Sequence, residues 1–198
     1  MTSVYVIDDN ADVLQQVSLV LERAGHDVYR FSSPVEFLKN VTPSSPAAIV
    51  LDVRMPGMSG LELQAALKAK AVRTPIVFIS GESQPKEIIA ALKAQAVDFL
   101  LKPFSAEDLR AAVAVAIDHD RRRILQEETV RSIQAKRELL SMRERDAFHL
   151  IIRGYSNKEL AAELDVKPDT AKKYRAAILA KFEVGSLAEL LAFLQAPA

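Results

Sequence analysis

Three carboxylates, a hydroxyl and an ammonium each follow a short apolar run in the first half of the chain. They are Asp8 and Asp9 after residues 4–7, Asp52 after residues 47–51, Ser80 after residues 76–79, and Lys102 after residues 97–101. Crowded carboxylates repel one another unless a cation lies among them, and with no His or Cys nearby a hard cation such as Mg²⁺ fits best. Mg²⁺ and an ammonium can neutralise a phosphoryl group in transit to a carboxylate oxygen. These residue types therefore predict Mg²⁺-assisted formation of an aspartyl phosphate.

The apolar runs predict a parallel sheet that brings these side chains together. The runs are unbroken, as in strands that are buried on both faces, and a shorter, edge-like run lies at residues 28–31. Helices are predicted over residues 11–24, 60–70 and 85–95, and after capping sequences at 33–36 and 105–108. Five βα units favour an open α/β sheet, whose strand carboxyl ends meet at one crevice. One such Asp is a common turn former, but four polar strand ends together indicate a functional site.

The composition narrows the remaining classes of function. The 198 residues suffice for one large or two small domains, and a formal net charge of zero gives no bulk attraction to nucleic acid or membrane. The absence of cysteine excludes a disulfide framework and a thiolate metal site. Residues 1–9 do not read as a signal peptide, and no apolar stretch is long enough to span a bilayer. We therefore expect a cytoplasmic protein without a membrane partner.

Residues 1 to about 120 resemble a receiver domain of two-component response regulators. The matching segments are the Asp8 and Asp9 pair, LDVRMPGMSG, ISG and VDFLLKPF, in this order and at receiver spacing. The resemblance implies a flavodoxin-like, doubly wound five-stranded fold in which Asp52 accepts phosphate from a sensor histidine kinase. It also implies Mg²⁺ ligands at Asp8, Asp9, Asp52 and the Arg54 backbone carbonyl, a switch hydroxyl at Ser80, a phosphate partner at Lys102, a switch aromatic at Phe99, and a cis Lys102-Pro103 peptide. Arg54 and Glu82 flank the pocket, and we expect them to tune the lifetime of the phosphate.

The stretch after the receiver-like part predicts a long helix. Residues 104–153 contain neither Gly nor Pro, and a helix from residue 105 to about 138 would be roughly 50 Å long at 1.5 Å per residue. Charges of both signs dominate residues 118–138, and the apolar positions there are too irregular for a sustained heptad. We therefore predict a solvated helical linker over residues 120–138.

The last part of the chain predicts four short helices between residues 142 and 195. Capping boxes lie at residues 141–144, 156–159 and 186–189. The third helix, from residue 168 to about 182, is basic: residues 167–181 carry five basic side chains and one acidic side chain, or net +4. Positive charge concentrated in a neutral chain indicates a nucleic-acid surface, although a solvated basic face is the alternative.

Residues 139–195 resemble a LuxR-type helix-turn-helix output domain. The resemblance lies in LLSMRERDAFHLIIRGYSNKELAAEL and in T-x-K-x-YR-x-x-I-x-x-K, and the Tyr174 and Arg175 pair indicates the FixJ-like branch. It implies that Lys172, Lys173 and Ala176 face bases, and that Asn157, Lys158, Thr170, Arg175 and Lys181 contact phosphates. Lys167 stands where the family often has Ser before Pro168, so this helix lacks the usual side-chain acceptor at its start.

Together these features predict a phosphorylation-dependent, DNA-binding transcriptional regulator. We expect a receiver domain at residues 1–119, a helical linker at 120–138 and a helix-turn-helix domain at 139–198. Phosphate on Asp52 is expected to drive homodimerisation and promoter binding, and the chain is not expected to be an enzyme beyond its own phosphorylation and dephosphorylation. Two alternatives remain. One is a signalling adapter whose C-terminal helices bind a protein; the other is an Asp-nucleophile phosphohydrolase, which the adjacent pair Asp8 and Asp9 disfavours, because such enzymes usually carry D-x-D.

Overall fold

The computed structural model describes residues 2–44, 46–81 and 84–195, and the chain divides into two compact units. The first unit comprises residues 1–124 and the second comprises residues 125–198. In the described ranges, no helix combines the length and the apolar character that crossing a membrane requires.

The first unit is built on a parallel five-stranded sheet with the strand order β2-β1-β3-β4-β5. The strands are β1 (Ser3–Ile7), β2 (Asp27–Phe31), β3 (Ala47–Asp52), β4 (Ile76–Ser80) and β5 (Asp98–Leu101). Every residue of β3 is buried, as its central place between β1 and β4 requires. The order confirms the predicted doubly wound fold, and its switch point lies between β1 and β3, where such folds bind their ligands.

Helices cover both faces of this sheet. They are α1 (Ala11–Arg23), α2 (Pro34–Asn40), α3 (Gly60–Ala69), α4 (Pro85–Lys93) and α5 (Ala106–Glu138). Successive strand residues point to opposite faces, so Val50 packs with α1 and α5, whereas Ile49 and Leu51 pack with α2, α3 and α4. Burial on both faces explains why the strands read as unbroken apolar runs.

Helix α5 extends over both the last receiver helix and the linker that the sequence predicts. Asp120, at the start of that predicted solvated linker, is fully buried. Its carboxylate accepts hydrogen bonds from the backbone N–H of Ala47 at 3.0 Å and from Arg123 Nη2 at 2.7 Å. The expectation of solvation was therefore wrong at this residue, because the first N–H of β3 and a guanidinium together compensate the buried charge.

The second unit is helical. It contains the last turns of α5 and the helices α6 (Met142–Ile152), α7 (Asn157–Glu163), α8 (Pro168–Phe182) and α9 (Leu187–Gln195), which confirms the four predicted short helices. Its core includes Leu160, Ile178 and the stacked rings of Phe148 and Phe182, whose centroids are 5.2 Å apart. Lys167, the N-cap residue of α8, makes no side-chain capping hydrogen bond, as the sequence predicts.

The predicted capping boxes differ in how they close. In those of α6 and α7, the N-cap serine hydroxyl accepts from the N–H of the glutamate three residues later, and that glutamate accepts from the N–H of the serine. At α2, the Ser33 hydroxyl accepts from Glu36 N as expected, but the Glu36 carboxylate accepts from the N–H and hydroxyl of Ser32. At α9, Glu189 likewise accepts from the backbone N–H of Gly185. In both cases the carboxylate finds a donor one residue before the N-cap, so the box is only half formed.

One ion pair joins three elements of the second unit. Lys181 Nζ, at the end of α8, donates to Glu144 Oε2 at 2.6 Å and to the Leu139 carbonyl at 3.0 Å. Glu144, in the first turn of α6, also accepts from the backbone N–H of Ser141 at 2.7 Å. The end of α8 is thereby fixed to the segment between α5 and α6.

We expect Gly60→Ala to destabilise the first unit by about 3 kcal/mol, because overpacking against a fixed backbone is costly. A Cβ at Gly60 would lie 2.2 Å from the Asp52 carbonyl oxygen, and no side-chain rotation relieves that clash. The loss of stability is measured by urea unfolding of the full chain, with the NMR signals of the first unit as the readout. Gly81→Ala is the control, since a Cβ there meets nothing within 4 Å; equal losses would contradict the argument.

Glu144 gives the second unit a stability that depends on pH. Hydrogen bonds from Lys181 and from the Ser141 N–H hold the pKa of Glu144 below its ordinary value. Its stabilisation is therefore present above the ordinary carboxyl pKa and is lost as the pH falls through the lower folded-state pKa. We expect Glu144→Gln to lower the stability by about 1–2 kcal/mol at pH 7, and by less near pH 3.

Urea titrations of the full chain at both pH values, followed by NMR signals of α6 and α8, test this expectation. Glu163→Gln, at an exposed position of α7, should change little at either pH. A Glu144→Gln deficit that stays constant between the two pH values would show that the charge on Glu144 does not matter.

Candidate functional site

The polar residues that the sequence selects lie at one edge of the sheet. Asp8 follows β1, Asp52 and Ser80 end β3 and β4, and Lys102 follows β5. The Lys102 backbone N–H donates to the Ser80 carbonyl at 2.7 Å, so the β4–β5 ladder continues up to this edge. The sheet thus brings together the four strand ends that the sequence places at one crevice.

An ammonium lies between two buried carboxylates at this edge. Lys102 Nζ donates to Asp8 Oδ2 and to Asp52 Oδ1, at 2.7 Å in each case. Asp8 is 1% exposed and Asp52 is 6% exposed. Burial raises the pKa of Asp52 above its ordinary value, while the Lys102 hydrogen bond opposes that rise. Burial by itself would lower the pKa of Lys102, but its bonds to Asp52 and Asp8 raise it.

Backbone donors orient the other two carboxylate oxygens. The Arg54 N–H donates to Asp52 Oδ2 at 2.7 Å, and the Asn10 N–H donates to Asp8 Oδ1 at 2.9 Å. Each carboxylate is therefore held from both sides, by an ammonium and by a turn that follows its strand. This arrangement presents a negatively charged oxygen nucleophile with a cation already beside it, which suits phosphoryl transfer.

The residues at this edge of the sheet carry the type of ligand atom that Mg²⁺ binds. Asp8, Asp9, Asp52 and the Arg54 carbonyl all offer the hard oxygen ligands that this ion prefers. Within residues 2–44, 46–81 and 84–195, no three His, Cys, Asp or Glu side chains form a metal-holding group. The neighbour that Asp8 and Asp52 share is instead the Lys102 ammonium, while Asp9 is exposed. The predicted ligand set thus stays a prediction.

The side chain of Arg54 has a partner that the sequence did not reveal. Arg54 Nη2 lies 3.2 Å from Glu87 Oε2, in the first turn of α4. The sequence directed attention to Glu82 instead, which lies outside the described residues. The local pattern Gln84-Pro85 followed by Glu87 predicts a helix start with a carboxylate in its first turn, but it does not identify Arg54 as the partner of that carboxylate.

The two residues expected to act as switches are placed differently. Ser80 is buried at the end of β4. Phe99 in β5 is half-buried, and its ring stacks on that of Phe78 with centroids 6.0 Å apart. The Lys102-Pro103 peptide is cis, as the resemblance implies.

The predicted DNA contacts in the second unit fall into two groups. Lys158 on α7 and Lys172, Lys173 and Ala176 on α8 are exposed. Thr170, in the first turn of α8, is half-buried. The exposed lysines therefore give the α7–α8 pair a basic surface.

The other predicted contacts are engaged within the unit. Arg175 Nε donates to Asn157 Oδ1 at 2.7 Å, and Arg175 Nη2 donates to the Tyr155 carbonyl. Lys181 is bound to Glu144 and to the Leu139 carbonyl. These side chains fix α8 to the start of α7 and to the start of α6, a role that the sequence did not indicate.

Two family models match this chain. The model of the response regulator receiver domain matches residues 4–114, and the model of the bacterial regulatory proteins of the luxR family matches residues 138–194. Both agree with the resemblances that the sequence motifs carry.

Known proteins match over nearly the whole length. The response regulator protein TodT of Pseudomonas putida is 38% identical over 188 residues, which cover 95% of this chain and 83% of TodT. The transcriptional regulatory protein FixJ of Bradyrhizobium diazoefficiens is 37% identical, covering 95% of this chain and 92% of FixJ. The solved structure of the response regulator StyR matches with a TM-score of 0.87 at 35% identity, covering 98% of both chains. This chain therefore belongs to the two-component response regulators in which a receiver domain precedes a LuxR-type DNA-binding domain.

Proposed function

We propose that this protein is a phosphorylation-dependent transcriptional regulator whose Asp52 accepts a phosphoryl group from a sensor histidine kinase. The observation that carries the proposal is the buried Asp52 carboxylate, which is held by Lys102 beside Asp8 at the switch point of the sheet. An oxygen nucleophile with an adjacent fixed cation is what phosphoryl transfer needs.

In the proposed transfer, an Asp52 oxygen attacks the phosphorus of a phosphohistidine. The new O–P bond forms as the N–P bond breaks, and the imidazole nitrogen keeps the electron pair and takes a proton. Lys102 stays next to the developing charge because its ammonium already contacts Asp52 Oδ1. Mg²⁺, held by Asp8, Asp9, Asp52 and the Arg54 carbonyl, would supply further charge neutralisation. The receiver thus catalyses only its own phosphorylation and dephosphorylation.

The phosphoryl group then changes a surface of the receiver. It adds charge and acceptor oxygens at the end of β3, where Ser80 donates a hydrogen bond to it and Phe99 moves inward. The surface of α4, β5 and α5 changes as a result, and two receivers associate through it. This is a population shift driven by a local charge.

Dimerisation places two output domains on two half-sites of promoter DNA, in the cytoplasm. The second contact becomes intramolecular, so the affinity rises through effective concentration. Within each domain, Lys172, Lys173 and Ala176 would read bases, and Lys158 and Thr170 would contact phosphates. Asn157, Arg175 and Lys181 would also contact phosphates while they hold the helices in place.

We expect Asp52→Asn to abolish phosphorylation by a small phosphoryl donor with Mg²⁺, because the amide is not a competent nucleophile. Donor-driven dimers should disappear with it. Intact-protein mass and light scattering measure the two effects. Asp27→Asn, an exposed position at the start of β2, should behave as wild type. Donor-driven dimerisation of Asp52→Asn at the wild-type level would refute the proposal.

The DNA contacts are tested by selecting bound duplexes from a random pool and by measuring affinity at several salt concentrations. Lys172→Ala or Lys173→Ala should cost about 1–3 kcal/mol on the preferred site and relax its sequence preference. Lys158→Ala should weaken binding to all sequences and reduce the salt slope by about one.

Arg131→Ala, at an exposed position of α5, is the control and should change neither property. The same effect from all three lysine variants would contradict the division into base and phosphate contacts. Absence of any enriched sequence, with Asp52 shown to be phosphorylated, would favour the adapter function.

A further inference from the structure

A short series of contacts connects Asp52 to the first turn of α4. The Arg54 backbone N–H donates to Asp52 Oδ2 at 2.7 Å, and the Arg54 side chain reaches Glu87 Oε2 at 3.2 Å. The same Glu87 oxygen accepts the backbone N–H of Gln84 at 2.6 Å. One residue, Arg54, therefore contacts both the phosphoacceptor and the carboxylate that holds the start of α4.

The start of α4 depends on that carboxylate. Its N-cap residue, Gln84, is not among the residues that cap helices well, and the Glu87 carboxylate accepts the Gln84 N–H as part of a capping box. Helix α3 also begins with a capping box, between Ser59 and Glu62. Loss of the contact between Arg54 and Glu87 would consequently loosen the hold of Glu87 on the first turn of α4.

Arg54 is placed to exchange this partner for another. Its side chain is 47% exposed, so it can reorient, and it lies two residues from Asp52. A guanidinium matches a phosphoryl group in bidentate geometry. The phosphoryl group carries roughly −1.5 to −2 charge at pH 7, against a single charge on Glu87. A phosphoryl group on Asp52 thus competes with Glu87 for the same cation.

We propose that Arg54 and Glu87 form a clasp that holds the first turn of α4 while Asp52 is unphosphorylated, and that the phosphoryl group draws Arg54 away from Glu87. Glu87 acts as a positioning residue, because it touches Asp52 only through Arg54. Once Arg54 has left Glu87 and contacts the phosphoryl group, its side chain shields that group from water. This inference rests on the proposed phosphorylation of Asp52, and it names the contact through which that event reaches α4.

The first test measures the rate at which the phosphorylated full chain loses its phosphoryl group. Glu87→Gln keeps an amide oxygen for the Gln84 N–H but loses the charge that retains Arg54, so dephosphorylation should slow by about twofold to fivefold, as for an exposed ion pair. Arg54→Gln should accelerate it by a similar factor. The double variant should match Arg54→Gln, since Glu87 acts only through Arg54.

Glu62→Gln is the matched control, because it removes the same kind of helix-start carboxylate from α3 without touching Arg54. Its dephosphorylation rate should equal that of wild type. An unchanged rate in Glu87→Gln, or a slowing that persists in the Arg54→Gln background, would overturn the clasp.

A second readout needs no phosphoryl group. In the unphosphorylated full chain, amide hydrogen exchange at the start of α4 should accelerate in both Arg54→Gln and Glu87→Gln, whereas Glu62→Gln should accelerate exchange only at the start of α3. Unchanged exchange at α4 in Arg54→Gln would refute the clasp even if Asp52 is phosphorylated. Absence of phosphate on wild-type Asp52, together with accelerated exchange, would instead refute the proposed function and leave the clasp standing.

Discussion

The receiver site depends on one ammonium placed between two buried carboxylates. Two like charges a few ångströms apart repel by about 4 kcal/mol at an effective dielectric constant near 20, and burial adds a desolvation cost to each. Lys102 offsets both because it contacts Asp8 and Asp52 at 2.7 Å. Since Asp8 follows β1, Asp52 ends β3 and Lys102 follows β5, the arrangement requires this strand order.

Strand β3 links this site to the helices at both of its ends. At its carboxyl end, the Arg54 N–H orients Asp52 while the Arg54 side chain reaches α4. At its amino end, the Ala47 N–H is bound by the buried Asp120 of α5. A fully buried strand is a stiff connection. A change at Asp52 therefore acts on an element whose two ends already contact the two helices of the proposed dimer surface.

The sequence predicted what local patterns determine. Apolar runs located the strands, capping residues located most helix starts, and the topology rule gathered Asp8, Asp52 and Lys102 at one edge. It did not predict the partners that lie far apart in the chain: Glu87 for Arg54, Ala47 for Asp120, and Asn157 for Arg175. Those pairs depend on how elements pack, and neither periodicity nor spacing contains that information. Charge counting likewise located the basic helix α8 but not the use of Lys181 inside the domain.

The internal partners of Arg175 and Lys181 have a consequence for how DNA binding can be controlled. Two of the cations within the net charge of +4 at α8 also bind Asn157, Glu144 and backbone carbonyls, so a phosphate would share them with partners inside the domain. A cation that keeps an internal partner contributes less counterion release to the affinity for DNA. If the proposed dimer forms, linking two output domains would add effective concentration to this reduced contribution. Low DNA affinity of a single output domain suits a regulator that responds to dimerisation, since a domain that bound strongly by itself would occupy DNA whether or not Asp52 is phosphorylated.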